Sequence, residues 1–397
     1  MRIRLFWLAI FLSITVAAFL FYKNTQAPIT YGLAPAFDGN DYTHIYHYFV
    51  GLEENYQVPF PFNGRILVPW LAAQIDSGNM IQDFQWVNLF FTLASIIALF
   101  VLWRQMGFEL KWFMAGFFWL LFHWTGIIRL NAFDPVTVDL PLYLFQTLLL
   151  FIILKRKFVW LLILAPLATA QKESFLALTV ILTAYGIWHN RKTEEGYYPI
   201  PLLVSAVALS LITKFSIAHY FSPIEEGKGA IITLLYHAKE TILHPFEIVR
   251  WLVAMFVAFG PALFLAGRKY VLTNRYDNTR NVLLIFTLTY LAFGILAGGD
   301  MTRIIYLGFP FIATWIMYEL REMRTKPLFI LGLLSLPLMM LHQHLPDPAF
   351  QMELWKSWYP EFANTSIVLM YLCYGVIAAF IGYRFNQAAP TELKNRY

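Results

Sequence analysis

The chain has 397 residues, of which 59% are hydrophobic and only 13% charged. Soluble domains carry about 25% charged residues, so an all-α integral membrane protein is the class this composition leaves. One cysteine, Cys373, excludes a disulfide framework and a cysteine metal site, and the net charge of +5 does not argue for nucleic acid, because the basic residues stand at the ends of apolar runs.

In chain order, Met1-Arg2-Ile3-Arg4 is basic and Leu5–Tyr22 is apolar. That run exceeds the about 7–15 apolar residues of a signal peptide, so it reads as an uncleaved first span with a cytoplasmic N-terminus. Next comes the polar stretch Phe37-Asp38-Gly39-Asn40-Asp41-Tyr42, then His44 and His47, then Pro61-Phe62-Asn63-Gly64-Arg65-Ile66-Leu67-Val68-Pro69. Ile66–Ala73 is apolar but too short to cross a bilayer, and reads as an outer interfacial helix. Further apolar runs are Phe84–Leu102, Trp112–Ile128, Val136–Leu154, Phe158–Thr169, Phe175–Trp188, Ile200–Ile212, Ile248–Ala266, Val282–Ala297, Ile304–Met317, Pro327–Leu341 and Ser366–Tyr383. Together they predict about twelve transmembrane helices in a single multi-span domain, although several runs fall short of the ~20 residues a crossing needs. The long connections are residues 23–83 and 214–247.

The positive-inside rule sorts the connections. Arg104/Lys111, Lys155-Arg156-Lys157, Arg191/Lys192, Arg268/Lys269/Arg275/Arg280, Arg321/Arg324/Lys326 and the tail Arg384/Lys394/Arg396 join Arg2/Arg4 on the basic, cytoplasmic side. Both termini are then expected inside, and the absence of an organelle signal points to a bacterial inner membrane. Asp38, Asp41, Arg65, Asp134, Asp139, Lys172, Glu173, Asp300 and Arg303 fall on the outer face. Scarce ionisable groups on one face, beside the longest loops, mark where a site is expected.

Each of these groups has a plain structural reading beside a functional one. On a helix, Asp38 and Asp41 are neighbours, and two close carboxylates divide naturally into a base and an orienting acid. Asp-Gly-Asn is also ordinary turn chemistry, so Asp41 carries the functional expectation and Asp38 is the alternative. His44 and His47 extend the series. Helical rotation of about 100° per residue leaves its first and last members about half a turn apart, so all four cannot share one ion. The two histidines read as hydrogen-bonding residues at the interface or in an acceptor cleft. Arg65 fits a phosphate clamp or a side chain that snorkels to headgroups.

Asp134 before Pro135 reads as a helix N-cap with proline at N1. Asp139 then lies one turn inside a span, which is costly unless it faces a cavity or a partner. Lys172 and Glu173 interrupt an apolar region, either as mutual counter-ions or as substrate contacts. In Gly298-Gly299-Asp300-Met301-Thr302-Arg303, the glycines allow close backbone approach. Asp300 and Arg303 sit at a helix start, where anions are favoured, or are simply the cap of that helix and its ion-pair partner. Trp355, Trp358 and Tyr359 read as an interfacial aromatic belt.

These motifs resemble the GT-C superfamily of membrane glycosyltransferases, multi-span enzymes that use lipid-phosphate-linked sugars. Asp38-Gly39-Asn40-Asp41-Tyr42 is similar to the Asp-x-Asp-Tyr-type loop of the mannosyltransferases in that superfamily, with an additional residue between the acids. Asn63-Gly64-Arg65-Ile66-Leu67-Val68-Pro69-Trp70-Leu71-Ala72 resembles their Tyr-Arg-…-Pro-Leu-Leu-Ala segment. The resemblance implies a GT-C-like fold, a polyprenyl-phosphate sugar donor, and a glycan, lipid or protein acceptor. It also implies a first-loop carboxylate as general base, Asp41 or alternatively Asp38, and Arg65 on the donor phosphate. Arg303 joins the donor side on physical grounds alone. Asp139, Asp300, Lys172, Glu173, His44 and His47 are the expected substrate contacts. No cofactor or metal ligand set is expected, with the need for a divalent cation left open. Two other readings compete: a transporter or flippase for a lipid-linked or anionic solute, and a membrane metallohydrolase built on Asp38, Asp41, His44 or His47.

Overall fold

The computed structural model describes residues 2–33, 37–193, 196–224, 230–273, 276–297 and 299–387; Arg275, Gly298, Lys394, Arg396 and the side chains of Arg2 and Arg4 lie outside the described residues. The chain is all-helical, 78% helix with no strand among the described residues. A backbone in hydrocarbon must satisfy its own hydrogen bonds, and helices do this within one segment.

In order the helices are α1 (Arg2–Thr25), the short α2 (Asp38–Phe49) and α3 (Leu67–Ile75), α4 (Met80–Gln105), α5 (Leu110–Phe122), α6 (Ile127–Phe133) and α7 (Pro141–Leu154). Then come α8 (Leu161–Gln171), α9 (Ser174–Thr193), α10 (Ile200–Tyr220), α11 (Ala230–Leu243) and α12 (Phe246–Leu272). The chain continues through α13 (Asn278–Leu296), α14 (Met301–Leu307), α15 (Phe309–Leu320), α16 (Thr325–Met339), α17 (Pro348–Trp358) and α18 (Thr365–Gln387).

The apolar runs of the sequence fall largely on helices, but helix length separates them. Among the described residues, seven stretches are long and apolar enough to cross a membrane: α1, α4, Leu110–Phe133, α10, α12, α13 and α18. The count becomes eight if α14 and α15, bent by 70° where Gly308 separates them, form one broken span. The about twelve spans read from the sequence thus become seven or eight by length and composition. α7 shows why. Its 14 residues reach about 21 Å at ~1.5 Å each, short of a hydrocarbon core of ~30 Å. The long connection after α10 begins only after Tyr220, because α10 continues through Lys214.

The chain forms two compact units. The first comprises Met1–Met106, Gly126–Ile232 and His344–Met352. Within it α4 packs on α1, α3 and α7, and α8 packs on α9 and α10. α4 starts where Asn79 accepts the Gln82 N–H at 3.1 Å, a side-chain N-cap. Its inward residues Phe84, Ile96, Leu99 and Trp103 are buried. Asp83, in its first turn, is buried as well and accepts the Tyr46 hydroxyl at 2.8 Å.

Between α6 and α7 the chain is irregular and buried, so its carbonyls need donors. Asn88 supplies Pro135 and Thr137, at 3.0 and 3.3 Å, and Gln171 supplies Val138. This corrects two local expectations. Asp134 follows the end of α6 and accepts the Tyr31 hydroxyl at 2.7 Å, rather than capping the next helix. That helix starts at Pro141, so Asp139 precedes α7 instead of lying one turn inside it.

The second unit comprises Gly107–Thr125, Thr233–Gln343 and Glu353–Tyr397. Here α12 packs against α14, α15, α16 and α18. It is kinked at Gly260, whose φ of +62° suits glycine and whose successor, Pro261, lacks the N–H that would continue the ladder. A Cβ on Gly260 would stand 2.5 Å from the Ser335 hydroxyl, so the close approach also requires glycine.

Candidate functional site

Four separated segments of the first unit bring ionisable groups together. α2 carries two of them. Its buried stripe is Gly39, Tyr42, Ile45 and Tyr46, a helical period that turns one face inward. Asp38 and Asp41 occupy its first turn, where the free backbone N–H groups favour negative charge. Gly39 allows the approach: a Cβ there would collide with the Tyr31 ring and come within 3.1 Å of the Val136 carbonyl. Tyr31 in turn accepts the Val136 N–H at 2.9 Å. The N-terminus of α2 is thereby fixed beside the irregular stretch that ends in Asp139.

Arg65 follows a 3-10 turn at Phe62–Gly64. Asn63 anchors the turn by donating to the Phe221 carbonyl at 2.7 Å, while Tyr56 donates to the Asn63 carbonyl at 2.6 Å. Three of the five N–H donors of the Arg65 guanidinium are engaged. Nε donates to Glu173 Oε2 at 3.1 Å and Nη2 to Oε1 at 2.6 Å, a two-pronged pair. Nη1 donates to the Tyr42 hydroxyl at 2.9 Å and stands 3.9 Å from Asp38 Oδ2. Lys172 and Glu173 lie in the break between α8 and α9, and each makes its direct ion pair elsewhere. Glu173 serves Arg65, and Lys172 meets the buried Asp139 at 2.5 Å.

These contacts set the protonation states. Burial, and then the Asp38 carboxylate, push the Asp41 carboxyl up from its ordinary value, while His44 and Arg65 oppose the rise. Burial alone would raise Glu173 too, but the Arg65 guanidinium, with Lys172, holds it at about 2. Burial works against the charge on Arg65, yet the Glu173 and Asp38 carboxylates outweigh it and keep the guanidinium charged. Burial also pushes the Tyr42 phenol well above its ordinary value, so it stays neutral. Two cations, Arg65 and Lys172, thus face four carboxylates, and the formal balance of the cluster is −2. A carboxylate with raised proton affinity beside a neutral phenol can accept a proton from a hydroxyl.

His44 and His47 both meet Glu53, at 2.8 and 3.4 Å, on the open side of α2. Among the described residues no group of three His, Cys, Asp or Glu side chains could hold a metal ion.

Asp300 and Arg303 belong to the second unit. They form an ion pair at 3.5 Å, and Asp300 makes no capping bond to α14. That task falls to Glu361, which accepts the Thr302 N–H and hydroxyl, each at 3.0 Å. Glu361 is buried and its carboxyl is pushed up to about 8, by burial first, then by Asp300, against the bonds from Thr302. Arg250 donates to its backbone carbonyl. Beside it, Trp355 stacks on Phe362 and lies tilted against Tyr359, with centroids 5.5 and 4.5 Å away. Sequence reading passed over Glu361. The available signal was an acid inside the aromatic run Trp358-Tyr359-Pro360-Glu361-Phe362. Glu53 was also missed, because a loop acid carries no pattern of its own, and Tyr42 stood in the quoted Asp38–Tyr42 motif without a role assigned to it.

Comparison with protein-family models, with curated proteins and with solved structures finds no match to this chain.

Proposed function

We propose that the chain is a membrane glycosyltransferase of GT-C type. It moves a sugar from a polyprenyl-phosphate donor to an acceptor hydroxyl on the extracytoplasmic face of a bacterial inner membrane. The observation that carries this reading is the convergence of the α2 acids with Arg65, Glu173, Lys172 and Asp139. Asp41 is the base. It takes the proton of the acceptor hydroxyl as that oxygen bonds to the anomeric carbon, and the bond from that carbon to the donor phosphate breaks with its electron pair leaving on phosphate. Asp38 raises the proton affinity of Asp41, and Arg65 orients Tyr42 and Asp38. Lys172 is the more exposed of the two cations and keeps two N–H donors beyond its bond to Asp139, so it is the one taken to meet the leaving phosphate. A GT-C-like topology with cytoplasmic termini is part of the same proposal.

The test is sugar transfer by purified, folded Asp41→Asn and Asp38→Asn proteins, using a panel of polyprenyl-phosphate hexoses. Loss of general-base assistance lowers turnover by about 10²–10⁴-fold. Asp41→Asn should show that loss and Asp38→Asn a smaller one. Full activity in both variants refutes the assignment.

A further inference from the structure

Apart from the acid cluster, the first unit carries a groove with a basic rim. α7 ends at Leu154, and the chain turns through Lys155, Arg156 and Lys157 into the 3-10 turn Phe158–Trp160 that leads to α8. Arg156 stands at φ +54°, a value that L side chains rarely adopt. Its guanidinium lies 3.9 Å from the centre of the Tyr197 ring, and Tyr197 donates to the Ile153 carbonyl at 2.9 Å. The three consecutive cations are therefore held in a defined turn.

Beside them α7, α8 and the end of α4 bound a groove of about 540 Å³, within the roughly 300–1,000 Å³ usual for ligand sites. Its walls are apolar, and Leu148, Ile163 and Leu167 in them are 36, 61 and 44% exposed. Trp160 adds an exposed indole, and the polar lining is Lys155, Lys157 and Gln105. Among the described residues no carboxylate pairs with either lysine. A loop that only sets topology needs the charges but not the groove. Apolar walls under two ammonium groups match a ligand with a hydrocarbon chain and an anionic head, and basic pockets between membrane helices suit acidic lipid headgroups.

We propose that this groove binds an acidic phospholipid, with its phosphate against Lys155 and Lys157 and one acyl chain along Leu148, Ile163 and Leu167. The site is independent of the glycosyl-transfer reading.

The test uses the full chain in phosphatidylcholine nanodiscs doped with brominated-chain phosphatidylglycerol or, separately, brominated-chain phosphatidylcholine at the same mole fraction. Bromine quenches nearby indoles, and the difference between the protein and its Trp160→Phe variant isolates Trp160. Trp160 should be quenched at lower mole fraction by the anionic lipid, by about fivefold for each lysine engaged. The preference should vanish in Lys155→Gln/Lys157→Gln. Equal quenching by both lipids would make Trp160 an ordinary interfacial residue and overturn the proposal. Quenching by neither would put another occupant in the groove, such as a second copy of the chain. A preference that survives the double variant, or that inorganic phosphate abolishes at constant ionic strength, would also overturn it. Native mass spectrometry of lipid retained by the unaltered protein repeats the comparison without variants, and retention without headgroup preference counts against the site.

Discussion

Arg65→Gln would separate the two halves of the acid cluster, and its cost follows from the Glu173 carboxyl. That carboxyl is held at about 2 against an ordinary 4.5. A tenfold change in acidity corresponds to about 1.4 kcal/mol, so the interval amounts to about 3 kcal/mol of folded-state stability at neutral pH. Glu173 is 31% exposed, and water screens part of the pair, which brings the expected coupling to about 2 kcal/mol. The sign is that of a depressed acid. The stabilisation is fully present above pH 4.5 and is lost as pH falls towards 2. The assay is a double-mutant cycle of Arg65→Gln, Glu173→Gln and the pair, with unfolding midpoints in mixed micelles followed by circular dichroism from pH 6 down to about pH 3. Coupling of about 2 kcal/mol at pH 6 that shrinks on acidification is expected. Additive single effects, or a coupling that does not change with pH, would refute the reasoning.

Other expectations follow from the same geometry. Removing the Asp38 charge lowers the raised Asp41 carboxyl, so the acid limb of the kcat/KM profile for Asp38→Asn should move to lower pH, while Asp41→Asn should have no such limb. Glu361 behaves in the opposite sense to Glu173. Its carboxyl is raised to about 8 from 4.5, so folded-state stability falls as pH rises across that interval, by up to about 5 kcal/mol. Glu361→Gln, which imitates the neutral acid, should be nearly flat there, and thermal unfolding midpoints between pH 5 and pH 8 check both curves. Gly39→Ala places a Cβ against the Tyr31 ring; overpacking of this kind costs about 1–3 kcal/mol, measurable as a lowered denaturation midpoint.

Hydropathy and local spacing were readable; partners distant in sequence were not. Apolar runs predicted where helices form because burial in hydrocarbon and helical period are both local properties. They did not predict where helices break. Breaks fall at Gly308 and in the buried stretch 134–140, and the latter is held open by the side chains of Asn88 and Gln171. The dipeptide Asp134-Pro135 carries good capping chemistry, yet Tyr31 claims Asp134 from a connection far upstream. The three-residue step from Asp38 to Asp41 was visible, as was the presence of Arg65 and Lys172 among otherwise apolar stretches. That Arg65 would select Glu173 and Lys172 would select Asp139 depends on how α2, α7 and α8 pack, and no short window encodes it.

If this cluster takes a donor phosphate, as proposed, charge balance decides how the two meet. Two opposite or like charges 4 Å apart interact by about 4 kcal/mol at an effective dielectric near 20, so a formal balance of −2 opposes an incoming anion. A neutral acceptor hydroxyl meets no such opposition, which is consistent with the base role proposed for Asp41. For phosphate to gain the Arg65 fork it must displace the Glu173 carboxylate, because Nε and Nη2 are both engaged there. Glu173→Gln tests that exchange. It removes one negative charge and weakens the competitor, since hydrogen bonds to a charged group are worth about twice neutral ones. If phosphate takes the place of Glu173, the donor KM should fall by up to about tenfold with kcat little changed. An unchanged or higher donor KM in a folded Glu173→Gln protein would confine Arg65 to positioning Tyr42 and Asp38, and would leave the leaving phosphate to Lys172.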